Sequence, residues 1–281
     1  MSPIVKFPHF LLSIVLASAT LFAAEPPPVS ARSAILFDAN SGKVLFKQNP
    51  DEQRPVASTQ KLLTALIVAE SGGLSDMVTI KETDTEVEPT KIYIRPGQQY
   101  SRLQLLHALL IKSGNDTARA LARDNAGSVA DFAGRMNANM RRLGGTASNF
   151  LNPNGLPADG QYSTARDMAR VARAAYMNPT LRSIMKLRYY PFRFTTGKTT
   201  TLKNTNRVLR HYSFCNGMKT GYTDRARHCL ISSGSYGGKD VISVVLGGSK
   251  QKVWDESLAL LSYGLGLSRA QVEKLHIPGA E

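Results

Sequence analysis

Hydrophobic residues change their rhythm four times along the chain. An apolar run from Phe10 to Phe22 follows a short polar start carrying Lys6 and ends at the small pair Ala23 and Ala24, the three-part layout of a secretory signal peptide. The run falls short of the roughly 20 residues needed to cross a bilayer, so residues 1–24 are expected to be removed on export. Pro26, Pro27 and Pro28 cannot continue a helix, and 25–33 reads as an extended lead-in. Two short apolar runs, Ala34 to Phe37 and Val44 to Phe46, surround turn formers and predict a hairpin. Apolar positions then take helical spacing in Thr59 to Glu70, Leu103 to Ile111, Thr117 to Arg123, Val129 to Leu143 and Thr164 to Tyr176, with a left-handed stop expected at Gly144-Gly145. After Tyr189 the residues turn β-branched and aromatic. Tyr190 to Thr196, Cys215 to Thr220, His228 to Ser232 and Val241 to Leu246 read as strands, and Asp255 to Tyr263 as a closing helix.

Strands at both ends with helices between them imply an α+β fold, in which N- and C-terminal strands share one antiparallel sheet around a mostly helical centre. No linker divides 34–265, so one domain is expected, followed by a short polar tail, 266–281. No second long apolar run occurs, and no membrane anchor is expected after the leader is removed. The formal charge is +14, or +13 once Lys6 is set aside. Such a balance suits anionic surfaces, and export leaves a wall polymer or membrane rather than nucleic acid as the partner. The same charge, scattered over Arg141, Arg142, Arg166, Arg170, Arg173 and Arg182, also serves solubility.

Common catalytic signatures are absent: no Gly-x-Ser-x-Gly elbow, no dinucleotide or phosphate loop and no His-Glu-x-x-His occurs. His211, Cys215, His228 and Cys229 lie close in sequence, but neighbours on a strand point to opposite faces, so neither metal nor cofactor is expected. His107, within a leucine-rich helix, reads as a packed residue. Three Ser-x-x-Lys runs occur, at Ser58, Ser183 and Ser249. Only Ser58-Thr-Gln-Lys61 opens an apolar helix, where residues three apart share a face. Only this copy is followed by the sole Ser-Gly-Asn (Ser113 to Asn115) and the sole Lys-Thr-Gly (Lys219 to Gly221). That order, at a helix start, a helix end and a strand, is specific.

These residues resemble the serine-type D-Ala-D-Ala carboxypeptidases, the low-molecular-mass penicillin-binding proteins. The likeness runs from Ala34 to about Leu265 and includes Asp38 to Leu45, Asn115 to Ala118, Met136-Asn137, Asn149 to Leu156, Asn204 to Asn206 and Gly217 to Thr223. The resemblance implies a D,D-peptidase/β-lactamase-like fold and an exported enzyme of the periplasm or envelope exterior. Its substrates would be peptidoglycan peptides ending in D-Ala-D-Ala, with β-lactams as covalent inhibitors. It implies Ser58 as nucleophile, Lys61 as its base and Ser113 as the proton relay to the leaving nitrogen. Asn115, Lys219, Thr220 and Gly221 would hold substrate, and the N–H groups of Ser58 and Tyr222 would form an oxyanion hole.

Two departures from the family pattern, Arg227 for glycine and Asn154 for histidine, bear on the hairpin tip and a neighbouring loop. An arginine often found after the last strand has no clear match, leaving Lys250 or Lys252 in its stead. Cys215 and Cys229 flank the Lys-Thr-Gly strand and would form one bridge if they face each other across the hairpin. Three other readings stay open: an endopeptidase that cuts cross-links, a β-lactamase, for which Asp159 is the sole acidic candidate in 153–162, and a binding module without catalysis.

Overall fold

The computed structural model describes residues 25–279, so the leader expected at 1–24 lies outside them. The predicted hairpin is present as β1 (Ser33–Asp38) and β2 (Val44–Gln48). Its turn is held by Asp38, whose carboxylate accepts the Ser41 N–H at 2.7 Å, a local bond that favours turns. A single 3-10 turn, Ala57–Gln60, runs into α1 (Lys61–Glu70). The small elements β3 (Met77–Thr79), α2 (Glu82–Thr85) and β4 (Gln99–Ser101) lead to α3 (Arg102–Ile111), which opens on a Ser101–Gln104 capping box. Then come α4 (Asn115–Ala126), α5 (Val129–Arg142), α6 (Ala165–Met177) and α7 (Pro179–Met185), the last with Asn178 as cap and proline in its first turn, where no N–H is lost. The hairpin β5 (Tyr189–Arg193) and β6 (Thr199–Lys203) precedes α8 (Arg207–His211). The chain closes with β7 (Cys215–Thr223), β8 (Arg227–Tyr236), β9 (Lys239–Gly248), α9 (Lys252–Leu265) and α10 (Arg269–Lys274).

The N- and C-terminal strands share one antiparallel sheet, in the order β2-β1-β9-β8-β7. Alternation sorts its side chains. Ile35, Phe37, Ile231, Ile242 and Val244 face the large core built with α1, α3 and α6. Ala34, Leu36, Leu230, Val241 and Val245 face a smaller core closed by Val253, Leu260 and Leu261 of α9. Each of these fully buried aliphatic side chains contributes about 1.5–3 kcal/mol of transfer free energy. The α+β arrangement follows, with β7 left as an edge strand.

The observed elements differ from the sequence reading at several points. Tyr190 to Thr196 does not join the main sheet; it pairs with β6 as a separate ribbon, held by Phe192 against Tyr100 at 5.3 Å between ring centroids. Apolar alternation identifies a strand but not its partner. The polar stretch 81–99 contains α2, and Asn115 starts a helix instead of ending a turn. The tail carries α10, docked by the Ile277 N–H on the His211 carbonyl at 2.8 Å. Finally, Cys215 sits opposite Gly234 and Cys229 opposite Gly221, so six strand steps, roughly 20 Å, part them along the hairpin. They also point into different cores, and both are free thiols, so the bridge that the sequence left open does not form.

Candidate active site

Ser58 and Lys61 share the turn where the 3-10 segment becomes α1, so their side chains rise from one face. Lys61 is completely buried. Its Nζ lies 2.7 Å from Ser58 Oγ, 2.6 Å from Asn115 Oδ1 and 2.7 Å from the Asn154 carbonyl. Burial and the nearby Lys219 charge hold its pKa well below the ordinary lysine value, against the opposing pull of Asp116. The Asn154 carbonyl also accepts Ser58 Oγ–H at 3.2 Å. Gly155 makes that approach possible, because a Cβ there would fall 2.1 Å from the Ala57 carbonyl.

The second wall comes from the α3–α4 junction. Ser113 sits between the helices with φ +69°, a left-handed conformation that costs a non-glycine residue roughly 1–2 kcal/mol. It places Ser113 Oγ 2.9 Å from Lys219 Nζ. Asn115, first residue of α4, accepts from Lys61 through its oxygen and donates from Nδ2 to the Glu88 carbonyl at 2.8 Å. Next to it, buried Asp116 accepts the Tyr93 N–H at 2.8 Å and the Ile92 N–H at 3.1 Å. Desolvation raises its pKa and these backbone donors restrain the rise.

Edge strand β7 forms the third wall. Lys219 is 1% exposed, and burial pulls its pKa down to about 7. Besides Ser113, its ammonium meets the Thr220 carbonyl at 2.8 Å. Thr220 Oγ1 lies 2.7 Å from Thr205 Oγ1. At Gly221 a Cβ would stand 2.8 Å from the Ser58 nitrogen, so the bare strand edge passes beside the nucleophile's N–H. Tyr222 follows, its exposed ring turned outward and its hydroxyl on Asp224 at 2.7 Å. The cleft between the walls holds about 440 Å³ and is lined by Ser58, Ser113, Asn115, Thr205, Thr220 and Gly221, among others. Six of the eight sequence-predicted site residues line this cleft, and the two buried lysines reach it through Ser58 and Ser113.

A serine hydroxyl, a desolvated amine and a second buried lysine in this order call for comparison with known peptidases. Residues 20–250 match the family model of peptidase family S11, D-alanyl-D-alanine carboxypeptidase. The chain belongs to that family. It is 37% identical over 89% of its length to D-alanyl-D-alanine carboxypeptidase DacC of Escherichia coli. It is 33% identical over 84% to a D-alanyl-D-alanine endopeptidase of Pseudomonas aeruginosa, covering 82% of that protein. A D-alanyl-D-alanine carboxypeptidase structure from Mycobacterium tuberculosis superposes with a TM-score of 0.83 at 31% identity, over 89% of this chain and 96% of that one. The chain spans 66% of the E. coli DacC length, and 58% and 61% of two further carboxypeptidases that it matches.

Against the family pattern, the site holds three residues that sequence reasoning passed over. Asn154 contributes through its backbone, which no residue-type argument could detect. Asp116 and Thr205 were quoted within matching segments without a role; their polar character inside otherwise matching runs was the available signal. Where a family arginine lacks a match, Lys250 and Lys252 are exposed, and the cleft is lined there by Val253 and Trp254. Asp159, the one β-lactamase-type carboxylate, faces solvent and pairs with Arg225 at 2.8 Å, outside the lining of the cleft. Arg227 adopts φ +59°, the conformation for which glycine is usual. His107 packs its ring on Tyr190 at 4.1 Å.

Proposed function

We propose that this chain is an exported serine D,D-peptidase that removes the terminal D-alanine of peptidoglycan stem peptides through an acyl-enzyme on Ser58. The observation that carries this reading is the environment of the Lys61 amine. Two of its three contacts, Asn115 Oδ1 and the Asn154 carbonyl, are acceptors that only N–H hydrogens can satisfy. When the amine is neutral its lone pair is therefore left facing Ser58 Oγ, and desolvation favours the neutral form.

Lys61 takes the Ser58 proton as Oγ attacks the penultimate D-alanine carbonyl, and the developing oxyanion is received by the N–H groups of Ser58 and Tyr222. Collapse breaks the C–N bond and the leaving nitrogen takes the Ser113 proton; Ser113, held by Lys219 through a hydrogen bond, is reprotonated from the Lys61 ammonium, which returns Lys61 to its neutral form. Lys219 and Thr220, backed by Thr205, bind the terminal carboxylate. Asn115 orients Lys61 and the acyl amide, and Gly221 lets the peptide lie along β7. Water, deprotonated by Lys61, then hydrolyses the ester, returning the proton to Ser58. Among the described residues no helix is long and apolar enough to cross a membrane, and we place the enzyme in the periplasm or outer envelope with β-lactams as suicide acyl donors.

Intact-mass measurement with benzylpenicillin tests the reading. A single adduct on the wild type and none on Ser58→Ala is expected; absence of an adduct on the wild type would refute it. Rapid turnover of the adduct would instead favour a β-lactamase. The P. aeruginosa relative supports a second reading, cleavage of cross-linked peptides at the same site.

A further inference from the structure

Beside the cleft runs a groove that the mechanism above does not use. It holds about 420 Å³ and is lined by Lys91, Arg95 and Lys112 with Tyr93 and Gln98 on one side, and by Phe194, Lys198, Thr200 and Leu202 of the β5–β6 ribbon on the other. Four cations line it and no carboxylate does. Among the described residues none of the four forms an ion pair with an acidic side chain. Uncompensated positive charge in a concave site raises the local concentration of anions.

Three chain segments carry lining residues of both the groove and the cleft. Lys112 directly precedes Ser113, and Lys91 directly follows Thr90, whose carbonyl accepts the Asn115 N–H at 2.7 Å. Leu202 stands three residues before Thr205, at most roughly 10 Å of chain, and Thr205 bonds both Thr220 and, through its N–H, the Ile111 carbonyl at 3.2 Å. These three chain segments link the cation-lined groove to the Lys219–Thr220 corner.

We infer that this groove binds the released side of a cross-linked substrate: an amine-bearing peptide that carries further carboxylates beyond the one at Lys219. The inference rests on the acyl-enzyme reading and names its substrate class. The C–N bond that breaks is the same, the Ser58 ester forms as before, and the proton passes to the departing amine. Only the size and charge of that amine differ from free D-alanine. A terminal D-alanine ends at Thr220 and leaves the groove empty, whereas an acidic peptide fills it.

The test compares three substrates: a pentapeptide ending in D-Ala-D-Ala, a cross-linked muropeptide dimer, and the same dimer with the carboxylates of its released strand amidated. The variant is Arg95→Glu with Lys198→Glu, both exposed and outside the cleft lining. Its expected effect is on the order of a tenfold loss of kcat/KM on the free-acid dimer, disappearing in high salt. Rates on the pentapeptide and on the amidated dimer, and acylation by benzylpenicillin, should stay at wild-type values. Equal loss on all three substrates, or no loss on the free-acid dimer, would overturn the groove assignment. So would wild-type cleavage of both dimers at the same rate. A wild type that benzylpenicillin does not label fails the underlying reading instead, so the two failures are distinct. Circular dichroism and the unchanged penicillin rate report that the double variant is folded.

Discussion

Lys61 and Lys219 are both buried lysines facing one cleft, yet they are dressed differently. Lys61 is enclosed by two carbonyl acceptors and one hydroxyl, so its only exchangeable direction points at Ser58. Lys219 rests on a hydroxyl and the carbonyl of its own neighbour Thr220, and the hydroxyls of Thr205 and Thr220 lie beside it on the cleft wall. The first environment suits proton exchange and the second suits holding a carboxylate. Burial lowers both pKa values, but Lys61 carries the additional repulsion of Lys219. Two identical side chains acquire distinct chemistry from the acceptors around them.

The comparison breaks first at Lys61. Lys61→Met should lower the rate of Ser58 acylation by about 10²–10⁴-fold, the range for losing a positioned base, while leaving no replacement donor to Asn115 or Asn154. Stopped-flow acylation with a fluorescent penicillin measures it, and a loss under tenfold would remove Lys61 from the role of base.

A sharper separation comes from pH. Lys219 loses its proton as pH rises through about 7, so kcat/KM on a peptide with a free terminal carboxylate should fall above that point. Protonation of Lys61, whose pKa burial and the Lys219 charge hold well below the ordinary lysine value, sets the acid limb. The apparent constants belong to the pair. Lys219→Gln should cost about 10–100-fold at pH 6, the worth of a hydrogen bond to a charged group, and abolish the alkaline limb. Removing the cation also relieves Lys61, moving the acid limb to higher pH. A profile unchanged in shape would contradict this division of labour.

The smallest effect lies at the tip of the same wall. Arg227 occupies a left-handed position at the β7–β8 turn. Arg227→Gly should stabilise the fold by about 0.5–1 kcal/mol, the strain relieved less the entropy that glycine adds to the unfolded chain. Urea denaturation reads the shift in midpoint, and penicillin acylation should be unchanged.

Much of this was legible beforehand where the signal was local. Ser58 and Lys61 share a helix face by spacing alone, a short apolar run marked β1, and β-branched and aromatic stretches marked β7, β8 and β9. Tyr190 to Thr196 was legible as a strand, but not its pairing with β6 in a separate ribbon, because local composition says nothing of a strand's neighbour. Whether Cys215 and Cys229 pair was open in the sequence for the same reason: register along the hairpin, set by cross-strand pairing, puts them far apart. Arg227 and Asn154, flagged as departures, have opposite outcomes. One carries backbone strain in an exposed turn, and the other reaches the nucleophile through a main-chain carbonyl that any residue could supply.

By itself the order of residues determined the α+β class, the serine–lysine pair on one helix face and the motifs that name the family, since these depend on periodicity and short-range spacing. Only the tertiary structure decided that the Asn154 carbonyl and Asp116 shape the Lys61 environment, that Thr205 stands against Thr220 and that four scattered cations line one groove. Those relations join residues tens of positions apart, and desolvation and Coulomb forces act on distance in space, which packing sets and sequence separation does not.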